Sequence, residues 1–232
     1  MVTTTLDQAR RMGAPRAIAL CQSFAGALEY QVGQWEQAEA ALNESIALFS
    51  QIGAADGEAL SCQRLGTLQT ARGQLDEGLE TLNRGVVAAK HAKLRAHIQG
   101  RLQAAITRNR LIAGDLEAAD EALSLGLALT ESHGNCALCE ALLLPAAVSV
   151  RIAQGDIEGA EAFCRRLDEA TTRYGSHTWV AISAQALGEL AAAKGEVETA
   201  ASYFKQAEAG FREAKNDVLA DQTVAALARL AV

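Results

Sequence analysis

A chain of 232 residues, half of them apolar and 21 % charged, is long enough to bury a core and lies within ordinary globular composition. Aromatics at 4 %, only two prolines and a surplus of alanine and leucine favour helix and argue against a β-sandwich or barrel, so the expectation is all-α. The net charge of −7 works against phosphate neutralisation, and hence against direct nucleic-acid binding by this segment.

No apolar run approaches the roughly 18 residues that a membrane span needs, and the start MVTTTLDQARRM lacks the apolar core of a signal peptide. A cytoplasmic protein without a membrane partner is expected. Cys21, Cys62, Cys136, Cys139 and Cys164 are an odd set in a chain with no export signal, which predicts reduced thiols and no disulfide framework.

Five segments recur along the chain: GQWEQAEAAL from Gly33, GQLDEGLETL from Gly73, GDLEAADEAL from Gly114, GDIEGAEAFC from Gly155 and GEVETAASYF from Gly195, at spacings of 40, 41, 41 and 40. Each runs glycine, polar, apolar (Trp35, Leu75, Leu116, Ile157, Val197), acid (Glu36, Asp76, Glu117, Glu158, Glu198), then a small residue one position after the next (Ala38, Gly78, Ala119, Ala160, Ala200). The glycine suits a left-handed turn that ends a first helix, and the acid suits the first turn of a second helix, where the helix dipole favours it. Nine residues after the glycine come Leu42, Leu82, Leu123, Cys164 and Phe204, a core column by helical spacing.

In chain order, residues 1–13 read as a half-repeat, the tail of a second helix ended by Gly13. Helix hairpins follow over about 14–53, 54–94, 95–134, 135–175 and 176–216, and residues 217–232 read as a terminal first helix. Left-handed C-terminal caps are expected at Gly13, Gly53, Gly134, Gly175 and Asn216, with Lys93 or Leu94 the weak member of that column. Pro145 lies within the first helix of the fourth hairpin, where it removes a backbone donor and should kink or widen the helix. The whole reads as one domain.

Seven residues before the turn glycines stand Gly26, Gly66, Thr107, Val148 and Gly188, mostly small. With Leu65-Gly66 and Leu187-Gly188 in first helices, and small residues at Ala38, Gly78, Ala119, Ala160, Ala200 and Ser45, Gly85, Gly126, Leu167, Ala207 in second helices, the pattern resembles the tetratricopeptide repeat over nearly the whole chain. It departs in its longer period, against about 34 residues, and in lacking the proline at the repeat's end. Longer repeats of this kind are similar to the helical sensor region of bacterial transcription regulators of the LuxR and MalT type, as is the stretch SHGNCALCEALLLPAAV at 132–148.

The resemblance implies a right-handed superhelical solenoid whose first helices line a concave, ligand-binding groove. It places groove positions 17, 13, 10, 6 and 3 residues before each turn glycine. In the third hairpin these are His97, Arg101, Ala104, Arg108 and Leu111; flanking hairpins offer Arg16, Ser23, Ala27 and Tyr30, then Gln63, Thr67 and Thr70, and further on Gln185 and Glu189. Between Glu80 and Asp115 the chain carries seven lysines and arginines and no acid, so the groove centre suits carboxylates or phosphates, or else is a solvated face paired with Glu117 or Glu121.

No phosphate loop, H-E-x-x-H, G-x-S-x-G or Rossmann fingerprint is present, so no enzyme and no cofactor are expected. Cys164 and Cys62 fall in core columns, and Cys21 lies one residue before the latter's, so these read as buried small hydrophobes. Cys136 and Cys139 differ, because they open a first helix, where the dipole favours a thiolate. The pair could close a disulfide, donate to zinc with His133 and His177 as further ligands, or be inert.

The sequence thus predicts a non-catalytic module that binds a protein, a peptide of acidic character or a small-molecule effector; the resemblance adds that it senses or interacts within a signal-responsive transcription regulator. The alternatives are a thiol or metal sensor, and a structural oligomeriser stacking through its terminal half-repeats, VLADQTVAALARLAV above all.

Overall fold

The computed structural model describes residues 2–132, 134, 136–173 and 176–230; His133 and Gly175, both singled out above, lie outside the described residues. It is all-α, a solenoid of helix hairpins, with twelve helices and no strand among the described residues. Two compact units are present, residues 1–114 and 115–232, and their boundary falls at the third turn glycine.

In the first unit α1 (Val2–Arg11) packs on α2 (Pro15–Gln31), which forms a hairpin with α3 (Trp35–Gln51). A second hairpin joins α4 (Ala55–Ala71) to α5 (Leu75–Ala89), and α6 (Arg95–Ile112) closes the unit against both. The first helices α2, α4 and α6 lie side by side. The second unit repeats this plan, with α7 (Leu116–Ser132), the hairpins α8 (Ala137–Ala153) with α9 (Ile157–Thr172) and α10 (His177–Ala193) with α11 (Val197–Glu213), and then α12 (Asp217–Arg229). Helix α8 continues through Pro145 as one element, with the Ser149 hydroxyl donating to the Pro145 carbonyl.

Helix ends follow the expected chemistry. At the hairpin turn after α4, Gly73 has φ +79°, its N–H donates to Thr70 O and the next N–H to Gln69 O, the paired bonds that satisfy the last carbonyls of a helix. The same left-handed conformation recurs at Gly13, Gly33, Gly53, Gly114, Gly134, Gly155 and Gly195. Where the residue after the turn glycine is aspartate, its carboxylate also caps the second helix: Asp115 accepts from Ala118 N and Asp156 from Gly159 N.

One cap differs from expectation. Asn216 has φ −105° and is the N-cap of α12, its side chain accepting from Leu219 N. The left-handed residue is Lys215, φ +55°, one position earlier. Asparagine suits either role, but its short side chain gains an N–H partner only at the N-cap, and the cost of positive φ falls on Lys215.

Hairpins close where a small residue of the first helix meets a bulky one of the second. A Cβ added to Gly66 would lie 2.5 Å from Leu82 Cγ and 2.9 Å from Gly78 O; one added to Gly26 would lie 2.6 Å from Leu42 Cγ, and one added to Gly188 2.7 Å from the Phe204 ring. The fourth hairpin reverses the sizes, with Val148 and Cys164 buried in one cluster alongside Leu144 and Leu167. Cys164 is therefore a packing residue, as its column implies. Cys62 is buried in the corresponding cluster of the first unit, whereas Cys21 is only half-buried, against expectation. No helix among the described residues is long and apolar enough to cross a membrane.

The weak cap after α5 is replaced by a clip. No left-handed residue ends that helix, and instead the Asp56 carboxylate, at the start of α4, accepts from the backbone N–H of Lys93 at 3.1 Å and of Leu94 at 3.0 Å. Partial burial acts to raise the Asp56 pKa, but the N–H groups of Leu94, Lys93 and Asp56 itself, with the Lys93 cation nearby, outweigh it and hold the carboxyl below its ordinary value. A depressed carboxylate contributes stability above its unfolded pKa and loses it as pH falls through the folded one. Asp56→Asn is expected to be less stable than the wild type at pH 7 and to lose amide protection at Lys93 and Leu94. The stability difference should begin to shrink only as pH falls below about 4, the ordinary carboxylate range, and should vanish once it has passed through the lower folded value, where the wild-type carboxylate also protonates; melting curves against pH and hydrogen exchange check both.

Candidate functional site

The side-by-side first helices of unit 1 gather arginines from two elements. Arg64 of α4, partly buried, places its guanidinium 4.9 Å from the centroid of the Phe24 ring of α2 and donates to Ser23 Oγ. Ser23 Oγ is in turn 2.8 Å from Ser61 Oγ, and Ser61 2.9 Å from Ser45 Oγ, so the arginine is rooted in a buried hydroxyl chain. Burial first, and the neighbouring Arg101 of α6 second, push the Arg64 pKa down to about 10. Arg64 and Arg101 therefore share one face, where the Arg101 charge makes that of Arg64 costlier.

Arg108, two turns beyond Arg101 on α6, is exposed and lies near Tyr30 of α2. Burial raises the Tyr30 pKa and the Arg108 charge opposes that rise. The Tyr30 ring stands edge-on to Trp35, 5.5 Å between centroids, so it walls the face from within the hairpin core. Half-buried Gln63 and Thr67 sit on α4 between these groups, Gln63 Nε2 donating to Thr67 Oγ1 at 3.2 Å. His97 is half-buried one turn before Arg101. Thr70, read as a groove residue, is instead buried: its hydroxyl donates to Gly66 O and accepts from Asn109 Nδ2.

Not all of the acid-free run serves this face. Arg84 is paired with Glu58 at 2.8 Å across α4 and α5, and Lys93 belongs to the Asp56 clip. Arg64 was missed by the sequence reading because it lies one residue outside the groove register. A signal existed: nine residues before the turn glycines stand Phe24, Arg64, Ala105, Ala146 and Ala186, and the arginine is the outlier.

The equivalent positions of unit 2 carry the opposite character. Glu189 of α10 accepts from Gln185 Nε2 at 3.3 Å and from Ser149 Oγ of α8 at 2.8 Å. The two predicted faces thus differ in charge.

The thiols divide as well. Burial is the largest cause that pushes Cys62 up to about 11 and Cys164 to about 12, which leaves both as unreactive thiols. Cys136 is the half-buried N-cap of α8 and Cys139 is buried one turn in, their Sγ atoms within 4.8 Å of each other. His177 does not join them: its Nδ1 lies 3.0 Å from Glu213 Oε2 of α11, because the opening of α10 packs toward its own hairpin partner. The four-ligand zinc site imagined from His133, Cys136, Cys139 and His177 is therefore not assembled with His177.

Comparison with known proteins places this geometry. The family model described as the MalT-like TPR region matches residues 15–232. No curated protein matches the chain. Among solved structures, a Rap protein complexed with competence and sporulation factor superposes with TM-score 0.61 at 10 % identity, over 93 % of this chain and 62 % of that one. At that identity the likeness shows the fold, and the chain spans under two thirds of the Rap protein's length. A set of nearly identical TPR-like repeats from Podosopora anserina matches with TM-score 0.46 at 18 % identity, over 83 % of this chain and 94 % of that one.

Proposed function

Because this chain belongs to the family of MalT-like TPR regions, we propose that it is a non-catalytic recognition module that holds an acidic peptide or protein segment on the face of α2, α4 and α6. Repeats of this type typically serve protein interaction. The observation that carries the reading is the convergence of Arg64 and Arg101 from adjacent helices, with Arg108 further along the same face. Guanidinium groups brought to one partly desolvated face suit the two-pronged recognition of carboxylates. The Rap protein's complex with competence and sporulation factor offers a precedent for this fold holding a ligand. Family membership further supports a place in a signal-responsive transcription regulator, with this region as its sensing part, whose occupancy is read out elsewhere in that regulator.

Selection from a random peptide library should enrich aspartate- and glutamate-rich sequences. Arg101→Glu with Arg108→Glu should weaken the selected peptides at least tenfold, about 1.4 kcal/mol, by fluorescence anisotropy, with helicity and melting temperature unchanged. Enrichment of neutral or basic peptides, or undiminished binding by the double variant, contradicts the assignment.

A second reading, a thiol sensor, draws support from the proximity of Cys136 and Cys139 at a helix start. Here a peroxide oxidant is reduced to water as the two thiols give up two electrons and two protons to form one disulfide. Peroxide treatment followed by iodoacetamide and mass spectrometry should then show Cys136 and Cys139 joined, with Cys62 and Cys164 reduced and unlabelled in the folded protein. Five reduced thiols after peroxide, with no metal by elemental analysis, removes the sensor reading.

A further inference from the structure

The three serines behind Arg64 form a chain with one direction. Ser23 of α2, Ser45 of α3 and Ser61 of α4 are all buried, and the Ser45 hydroxyl donates to Ala19 O at 2.8 Å. A hydroxyl has one proton to give, so Ser45 can only accept from Ser61, and Ser61 in turn only from Ser23. At the other end a guanidinium can only donate, and Arg64 donates to the Ser23 oxygen. Both ends therefore impose the same direction, from Arg64 through Ser23, Ser61 and Ser45 to a backbone carbonyl.

The chain is particular to this place in the repeat. Where Ser23 and Ser61 stand, ten and twelve residues before the turn glycine, α8 has Pro145 and Leu143; where Ser45 stands, twelve after it, α9 has Leu167. The fold is thus built in one hairpin without these hydroxyls, whose burial carries a desolvation cost that apolar side chains avoid. What they hold is Arg64, with its Nη1 on Ser23 and one face of its guanidinium against the Phe24 ring.

The other edge of that guanidinium has a use elsewhere in the molecule. Arg84 holds Glu58 with Nε and Nη2 at 3.2 and 2.8 Å, and Arg166 holds Glu140 with the same two atoms at 2.8 and 2.6 Å. Among the described residues no carboxylate pairs with Arg64, and its Nε and Nη2 make no hydrogen bond.

We propose that Ser23, Ser61 and Ser45 are positioning residues, whose one-way chain fixes the Arg64 guanidinium so that its Nε and Nη2 edge takes a carboxylate of the ligand. The carboxylate rests on the acidic-ligand reading above, whereas the fixing of Arg64 does not. Because the chain offers only an acceptor at Ser23, it selects a donor at residue 64. A lysine there would supply a donor but would meet the ligand as a point charge, without the planar fork that matches a carboxylate. Arg64 is thereby the specificity-determining member of the arginine face, and Ser61 and Ser45 act on the ligand only through it.

Nitrogen NMR of the full chain with labelled arginine should show restricted exchange between Nη1 and Nη2 of Arg64, against free exchange at the exposed Arg16. Ser61→Ala, one hydroxyl removed from Arg64, should release that restriction and weaken binding of a polyglutamate peptide about fivefold, the order of one hydrogen bond. Ser183→Ala removes the buried serine at the same place of α10 and should change neither. Ser61→Cys keeps the volume without a strong donor and should act as Ser61→Ala does, which decides the matter even if the alanine variant misfolds. Arg64→Lys should weaken the same peptide at least about tenfold. An Arg64 that exchanges freely in the wild type, or restriction and binding both unmoved by Ser61→Ala and Ser61→Cys, overturns the proposal. A restricted Arg64 released by Ser61→Ala in a chain that binds no polyglutamate upholds the positioning chain and removes the acidic-ligand reading instead.

Discussion

The hairpins α2–α3, α4–α5, α8–α9 and α10–α11 depend on how closely their two helices cross. The crossing is set by one pair of side chains, a small residue seven positions before the turn glycine and a bulky one nine positions after it. With Gly66 under Leu82, or Gly188 under Phe204, the bulky side chain lies directly on backbone, so that even one methyl group would overlap it. That contact fixes the angle at which the second helix leaves the turn and, through it, the place where the next first helix can lie. Interiors packed to crystal density leave little slack for compensation elsewhere. Val148 with Cys164 shows the rule from its other side, since the larger residue has moved to the first helix and the smaller to the second.

The spacing so imposed is what gives function its geometry. First helices held side by side bring Arg64 and Arg101 onto one face, although 37 residues separate them in sequence. Loops would let such like charges drift apart. Helices anchored by buried hydroxyl chains, Ser23 to Ser61 to Ser45, keep them together. Unit 2 uses the same scaffold with Glu189 in a hydrogen-bonded polar set, which shows that the face is chosen by the side chains mounted on the repeat and not by the repeat itself.

Much of this was legible in the sequence, because a repeat writes its packing rule several times over. The turn glycines, the acids in first turns, the core column that explains Cys164 and the buried Cys62 all follow from local chemistry that recurs every 40 or 41 residues. What escaped reading was specific to one repeat. Asp56 as a clip for Lys93 and Leu94 joins residues 37 and 38 apart and leaves no periodic trace. The positive φ fell on Lys215 because Asn216 had a better use for its side chain as an N-cap. Cys21 and Leu28 occupy buried columns, yet the first is half-buried and the second exposed, since burial there depends on neighbouring helices and not on the residue's own type. His177 took Glu213 as its partner because its own hairpin is nearer than the preceding first helix.

A double-mutant cycle at the fourth crossing tests the pairing rule most directly. Cys164→Leu alone should cost about 1–3 kcal/mol by overpacking against Val148. Adding Val148→Ala should recover most of that loss, giving a favourable coupling above about 0.5 kcal/mol in urea unfolding. Additive losses, with the double variant as unstable as the sum of the singles, would show that the crossing is not set by this pair and would contradict the account.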